Sequence, residues 1–182
     1  VQNDITYYAA NGTEMFKDKK VSNLQGIAAL YPETCQFLTL EKSGIRSVAD
    51  FKGKRIAVGA AGSGTEANAR QIMEAYGITY NDIEVQYLSF GEAASALKDG
   101  NVDVAFVTAG YPTAAIQDIA SQHAIRLLPV DPDKADALIA KYPFYTKTNI
   151  PAGTYAGFSE EVPAVSVMAM LVATDKLDDA LG

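Results

Sequence analysis

The residues best suited to chemistry lie between Gly59 and Arg70, in the run GAAGSGTEANAR. Gly62 and Gly64 let the backbone take a positive φ or come close to a ligand. Ser63 and Glu66 have capping-box spacing, which predicts that a helix begins there. The N–H groups of a first helical turn lack internal partners, and the helix dipole adds about half a positive charge. Such a turn can hold an anion through its backbone N–H groups and the hydroxyls of Ser63 and Thr65, with the Asn68 amide one turn further on. The same run reads equally as a well-capped helix start with solvent at its tip.

The residue types narrow the choice of anion. A nucleotide-binding P-loop needs Lys before Ser or Thr, and Thr65 stands where that Lys would be. The glycine order does not follow the dinucleotide fingerprint, and the next strand ends in Leu88-Ser89-Phe90 with no acidic residue for a ribose. A nucleophile elbow needs glycine two residues either side of the serine, but Ala61 and Thr65 flank Ser63. A small carboxylate fits better, because it asks for only a few donors. A second turn of the same character, Thr108-Ala109-Gly110-Tyr111, follows a valine-rich strand, and in doubly wound sheets ligands gather at the carboxyl ends of strands. Thr108 could equally serve as a helix cap.

The elements that must position these turns alternate. Strands are expected at 54–58, 84–88, 102–107 and 125–130. Helices are expected at 65–76 and 92–98, from Pro112, and from Pro132 behind an Asp131 cap. Strands separated by helices of this length imply βαβ units and a mostly parallel sheet. The flanks read instead as strand pairs: 24–31 with 34–40, and 144–150 with 164–173. Residues 1–44 are expected to form part of one lobe, 45–131 a complete second lobe, and 132–182 the return crossover and more of the first. A cleft between the lobes would hold the ligand.

Composition excludes several functions. The 182 residues are 48% hydrophobic and 20% charged, an ordinary globular composition. Fifteen Lys and Arg against 22 Asp and Glu leave a charge of −7, with no basic patch for a nucleic acid. No apolar run reaches bilayer length, so a membrane-spanning chain is not expected. One cysteine, Cys35, allows no internal disulfide and no cysteine-rich metal site. The one histidine, His123, falls at an expected helix end away from both glycine turns. No catalytic residue, metal or cofactor is expected. Glu160-Glu161 and Asp178-Asp179 read as solvated surface.

The segments QNDITYYAANG (Gln2 to Gly12), LYPE (Leu30 to Glu33), SVADFKGKRIAVGAAGSGTEANARQI (Ser47 to Ile72), VDVAFVTAGYPTAAIQD (Val102 to Asp118) and YPFY with IPAGTY (between Tyr142 and Tyr155) resemble the TAXI family. Its members are extracytoplasmic solute receptors of tripartite ATP-independent periplasmic (TRAP) transporters. The resemblance implies an α/β fold of the type II periplasmic-binding-protein kind, two lobes of mostly parallel sheet flanked by helices. It also implies capture of a small carboxylate, glutamate-like or a dicarboxylate, for delivery to a TRAP permease. The implied ligand residues are Ser63, Gly64, Thr65, Asn68, Thr108 and Gly110, with Gln2, Asn3 and Tyr31 from the other lobe. Tyr111 and Tyr155 are further candidates, though core packing would explain them as well. Family members are longer at both ends and begin with a signal sequence. The chain is therefore expected to be an interior piece of a periplasmic protein, with one lobe incomplete.

Affinity arithmetic demands both lobes. A micromolar receptor needs about 8 kcal/mol. A helix N-terminus supplies about 0.3–2 kcal/mol and each charged hydrogen bond about 1.5–3 kcal/mol. Two alternatives share the same scaffold. The effector-binding domain of a transcription regulator would follow a helix-turn-helix, and an enzyme would need a base or metal near the turns.

Overall fold

A computed structural model of the chain describes residues 1–177. Five α-helices of the described residues surround one seven-stranded sheet: α1 (Asn3–Asn11), α2 (Gly64–Ala75), α3 (Phe90–Lys98), α4 (Ala114–Gln122) and α5 (Pro132–Lys141). The strands are β1 (Leu24–Leu40), β2 (Arg55–Ala57), β3 (Glu84–Gln86), β4 (Val104–Ala109), β5 (Ile125–Leu128), β6 (Thr146–Ile150) and β7 (Val162–Thr174).

The alternating region folds as its pattern predicts. Successive side chains of a strand point to opposite faces, so strands buried on both sides are apolar throughout. In β4, Val104 and Phe106 join one core with Phe37, Ile56, Ile72, Met73 and Leu138, the last three from α2 and α5. Ala105 and Val107 face the other core with Leu38, Leu97, Ile116 and Ile119, under α3 and α4. Helices therefore cover both faces, giving a three-layer α/β lobe.

Strand direction departs from expectation. Parallel pairing is confined to β3–β2 and β2–β4. β1 lies antiparallel between β4 and β5, giving the order β3-β2-β4-β1-β5 across the lobe. The sheet is mixed because β1 enters from the flank with no crossover helix before it, and apolar pattern carries no information on direction. The two strands expected at 24–31 and 34–40 are one 17-residue strand. Register shifts at Gly26/Ala28 and Ala29/Pro32 absorb Pro32, which a regular central strand would not tolerate.

β1 changes character along its length. Residues 34–40 are buried inside the lobe, whereas the stretch from Leu24 to Pro32 is mostly exposed and pairs antiparallel with β7. Thr34 and Ser166 mark the transition, their buried hydroxyls 2.8 Å apart. β7 then pairs with β6, so the segments on either side of the central lobe meet as a β1–β7–β6 ribbon. The N-terminal helix α1 has no counterpart in the pattern reading. Its Tyr8 and Ala9 are buried, and it packs beside β7.

Local expectations resolve individually. Pro112 precedes α4 rather than opening it, with Thr113 at the N-cap. Asp131 occupies the N-cap of α5 but makes no side-chain cap bond; its Oδ2 accepts from the Tyr76 hydroxyl. His123 ends α4 and is exposed, and Glu160 and Glu161 are exposed as well. Asp178-Asp179 lies outside the described residues. No helix among the described residues is long and apolar enough to cross a membrane.

Two predictions test this packing. Cys35 is 2% exposed, and burial pushes its thiol pKa up. A thiol-specific reagent such as DTNB should therefore leave native protein unmodified and label it only on unfolding. Asp103 accepts from the Arg55 backbone N–H at 2.8 Å and from its guanidinium at 2.7 and 3.2 Å, which holds its carboxyl below the usual carboxylate range. A depressed folded pKa adds stability that is present above the unfolded value and lost as pH falls through the folded one. Asp103→Asn should therefore lower the unfolding midpoint at pH 7, and the gap should close below about pH 4.

Candidate functional site

The two glycine-bearing turns open from neighbouring strands. β2 and β4 lie side by side and parallel, Ile56 opposite Val104 and Ala57 opposite Ala105, so both turns emerge at the same edge. Beyond β2, Gly59 takes φ +104°, and a Cβ there would stand 2.9 Å from Thr65 Cγ2 and 3.2 Å from the Glu66 nitrogen. Only glycine lets the loop fold back this tightly onto the start of α2. Ser63 is the N-cap, its hydroxyl accepting from the Glu66 N–H at 3.1 Å. The reciprocal half of the expected capping box is absent, because Glu66 turns away to the Tyr80 hydroxyl at 2.6 Å.

A cavity of about 300 Å³ lies at this edge, lined by Val1, Gln2, Ile5, Glu33, Gly64, Thr65, Phe90 and Thr108. Four residues singled out from the sequence, Gln2, Gly64, Thr65 and Thr108, thus share one wall. The Gly64 and Thr65 N–H groups begin a 12-residue helix and lack helical partners. None of the eight lining residues is Lys or Arg.

The remaining expected residues lie elsewhere. Asn68 is fully buried one turn behind the cavity. Its Nδ2 donates to Asp4 Oδ2 at 2.9 Å and to the Tyr145 hydroxyl at 2.7 Å, and its Oδ1 accepts from Gln2 Nε2 at 2.9 Å. No donor is left for a ligand. Asn3 starts α1, its Oδ1 accepting from the backbone N–H groups of Asp4 and Met168. The Ser63 hydroxyl accepts at the helix cap, and Ser63 does not line the cavity. Tyr31 is 52% exposed, and its ring lies beside Gly110, outside the cavity wall. Tyr155 is core, donating to Gln36 Oε1 at 2.6 Å and accepting from the Thr113 N–H at 3.0 Å. Tyr111 reaches toward the Asn149 carbonyl at 3.5 Å.

Asn68 belongs to a buried polar chain that docks α1 on α2. From Tyr145 the hydroxyl donates to Gln71 Oε1 at 2.6 Å, and Gln71 Nε2 donates to the Tyr8 hydroxyl at 3.0 Å. Burial raises the pKa of Asp4, an effect that its hydrogen bonds from Asn68 and the Ile5 N–H partly offset. Both acceptors facing Asn68 Nδ2 settle the orientation of that amide, and hence that of Gln2. Gln2 must turn Nε2 to Asn68 and keep Oε1 free. That oxygen is buried and has no hydrogen-bond partner among the described residues.

Glu33, Phe90 and Ile5 are wall residues that the sequence reading did not select. The one available signal was Glu33's place in the LYPE segment, two residues beyond Tyr31. A second hollow of about 330 Å³ follows β5 and includes Glu41, Arg126, Phe158 and Glu160. There Arg126 already holds Glu41 through bonds of 2.6 and 2.9 Å, so it offers no free cation.

Among the described residues no group of three or more His, Cys, Asp or Glu could hold a metal ion. The mixed sheet with helices on both faces is the architecture of type II periplasmic binding proteins. The chain belongs to the NMT1-like family, which it matches over residues 1–182. It is 32% identical over 91 residues to an aliphatic sulfonates-binding protein of Escherichia coli K12, half of this chain and 28% of that protein. The crystal structure of the periplasmic aliphatic sulphonate binding protein SsuA from E. coli matches 69% of this chain and 37% of its own, with a TM-score of 0.53 and 24% identity. The alkanesulfonate-binding protein SsuA from Xanthomonas axonopodis pv. citri, bound to MOPS, matches 90% of this chain and 45% of its own (TM-score 0.52, 22% identity). The chain thus spans less than half the length of these relatives. The family matched is the NMT1-like one, and these relatives are sulfonate-binding proteins by name, which the TAXI resemblance did not anticipate.

Asn68→Ala tests the assignment of Asn68 to the fold. It strands Gln2 Nε2 and removes a donor from buried Asp4, at about 1–3 kcal/mol per orphaned group. Chemical denaturation should show a loss of that size in the absence of any ligand.

Proposed function

We propose that the chain is the ligand-binding part of an extracytoplasmic solute receptor that captures a small organic acid and delivers it to a membrane permease. In this reading the central lobe, expected at 45–131, also takes in residues 34–40 of β1 and helix α5, and the β1–β7–β6 ribbon contributes to the other lobe. The observation that carries it is that Gly64 and Thr65, at the start of α2, and Thr108, near the end of β4, line one cavity at the carboxyl ends of adjacent parallel strands. Neutral donors fixed at a helix start can hold an anion with little reorganisation.

The net charge of −7 does not oppose this, since repulsion from distant surface carboxylates is screened beyond about 8 Å at physiological salt. The acid group is a carboxylate on the TAXI resemblance, which also makes a TRAP permease the partner. The names of the relatives favour a sulfonate instead. Both groups accept from the same donors. A cavity of about 300 Å³ fits a compact metabolite. The relatives are binding proteins by name, and we read the site as a binding site rather than a catalytic one.

Titration calorimetry on the full-length protein with glutamate, C4–C5 dicarboxylates and short alkanesulfonates tests the reading. At least one should bind. Thr65→Ala and Thr108→Val should each weaken it by about 10- to 150-fold, the equivalent of one hydrogen bond to a charged group. Unchanged affinity in both variants would remove the site.

A further inference from the structure

β5 is an edge strand of the lobe, and its register with β1 fixes which of its backbone groups are free. The Glu41 N–H donates to the Ala124 carbonyl at 2.9 Å. In the antiparallel alternation Thr39–Arg126 and Phe37–Leu128 are then the bonded pairs. The N–H and C=O groups of Ile125 and Leu127 therefore point away from β1, and they have no partner on that side among the described residues. Edge strands are commonly guarded against pairing by exposed charged side chains. β3, at the other edge of the lobe, follows that rule with exposed Glu84 and Gln86. β5 does not. Ile125 and Leu127 are core residues, and the Arg126 guanidinium is held by Glu41.

The free edge faces a groove. Residues 157–163 form its far wall and reach the end of β5 where the Val130 N–H donates to the Pro163 carbonyl at 2.9 Å. Before that contact the two stand apart across the hollow of about 330 Å³. Glu41, Ile125, Arg126 and Gly157 also line a neighbouring hollow of about 540 Å³ at the end of α4, so the groove runs the length of the strand. On the far wall Glu160 and Glu161 are exposed and have no cation partner among the described residues. Phe158 and Val162 beside them are half-buried and apolar. Lys42 and His123 lie only at the α4 end.

We propose that the free edge of β5 is a docking site for an extended, basic segment of a partner protein, which adds a strand to the sheet within this groove. An extended main chain carries N–H and C=O groups at the spacing of the strand it joins, so it satisfies Ile125 and Leu127 together. Its apolar side chains meet Phe158 and Val162, and its cations answer Glu160 and Glu161. Main-chain bonds supply the attachment and the acidic wall selects the occupant. The groove is separate from the cavity at the start of α2, and the proposal does not depend on the receptor reading.

Capped peptides of about eight residues, titrated into the full-length protein by fluorescence anisotropy, test it. A peptide alternating Lys with Val should bind about tenfold tighter or more than its Glu–Val counterpart. Its binding should slow amide hydrogen exchange at Ile125 and Leu127 by about tenfold or more. N-methylation of every second peptide residue should abolish binding in one phase and spare it in the other, because one edge of an added strand faces β5. Glu160→Lys with Glu161→Lys, both exposed, should reverse the preference for the Lys peptide. Failure of the Lys–Val peptide to bind would overturn the proposal, as would equal effects of the two N-methylation phases or protection that falls away from β5. Slow exchange at Ile125 and Leu127 in the free full-length protein would overturn it too, by showing that another part of the same chain covers the edge.

Discussion

The buried Asn68 amide is the interaction on which the rest of the site depends. It sits in the second turn of α2 with its donor shared by Asp4 and Tyr145 and its acceptor taken by Gln2. Those bonds reach α1 and the segment before β6, pieces of chain far apart in sequence. A buried amide with every partner in place rigidifies its surroundings, and one with a partner missing is costly. Seating α1 against α2 in this way brings Gln2 to the wall of the cavity and sets which of its atoms is left free. Gly64 completes the fit: a Cβ there would collide with Gln2 Oε1 and stand 2.8 Å from Ile5 Cγ1.

The second constraint is β1. Its C-terminal half is an interior strand of the lobe and its N-terminal half is a partner of β7, so one continuous strand carries Glu33 and Tyr31 out of the lobe. Antiparallel pairing along the ribbon is what returns the chain after α5. Glu33 sits at the junction, where the strand passes from exposed to buried. A carboxylate placed there is partly desolvated yet still reachable from the cavity.

Charge acts locally in this molecule. The chain is strongly acidic overall, yet the start of α2 favours negative charge through unpaired N–H groups and a dipole that needs no cation.

Much of this was legible in the residues. Gly59, Gly62 and Ser63 dictated a tight turn and a capped helix, because positive φ and cap chemistry are local demands that few other residues meet. The apolar patterns read at 54–58, 102–107 and 125–130 marked buried strands, found at 55–57, 104–109 and 125–128, and therefore a sheet covered on both faces. Thr65 and Thr108 could be singled out because both follow strands in equivalent places. Strand direction, the continuity of β1 through Pro32, the docking of α1 and the presence of Glu33 in the wall were decided only by the tertiary structure. So was the withdrawal of Asn68 from the ligand side. Each depends on a partner distant along the chain, and periodicity reports which face of an element is apolar, not what stands opposite it.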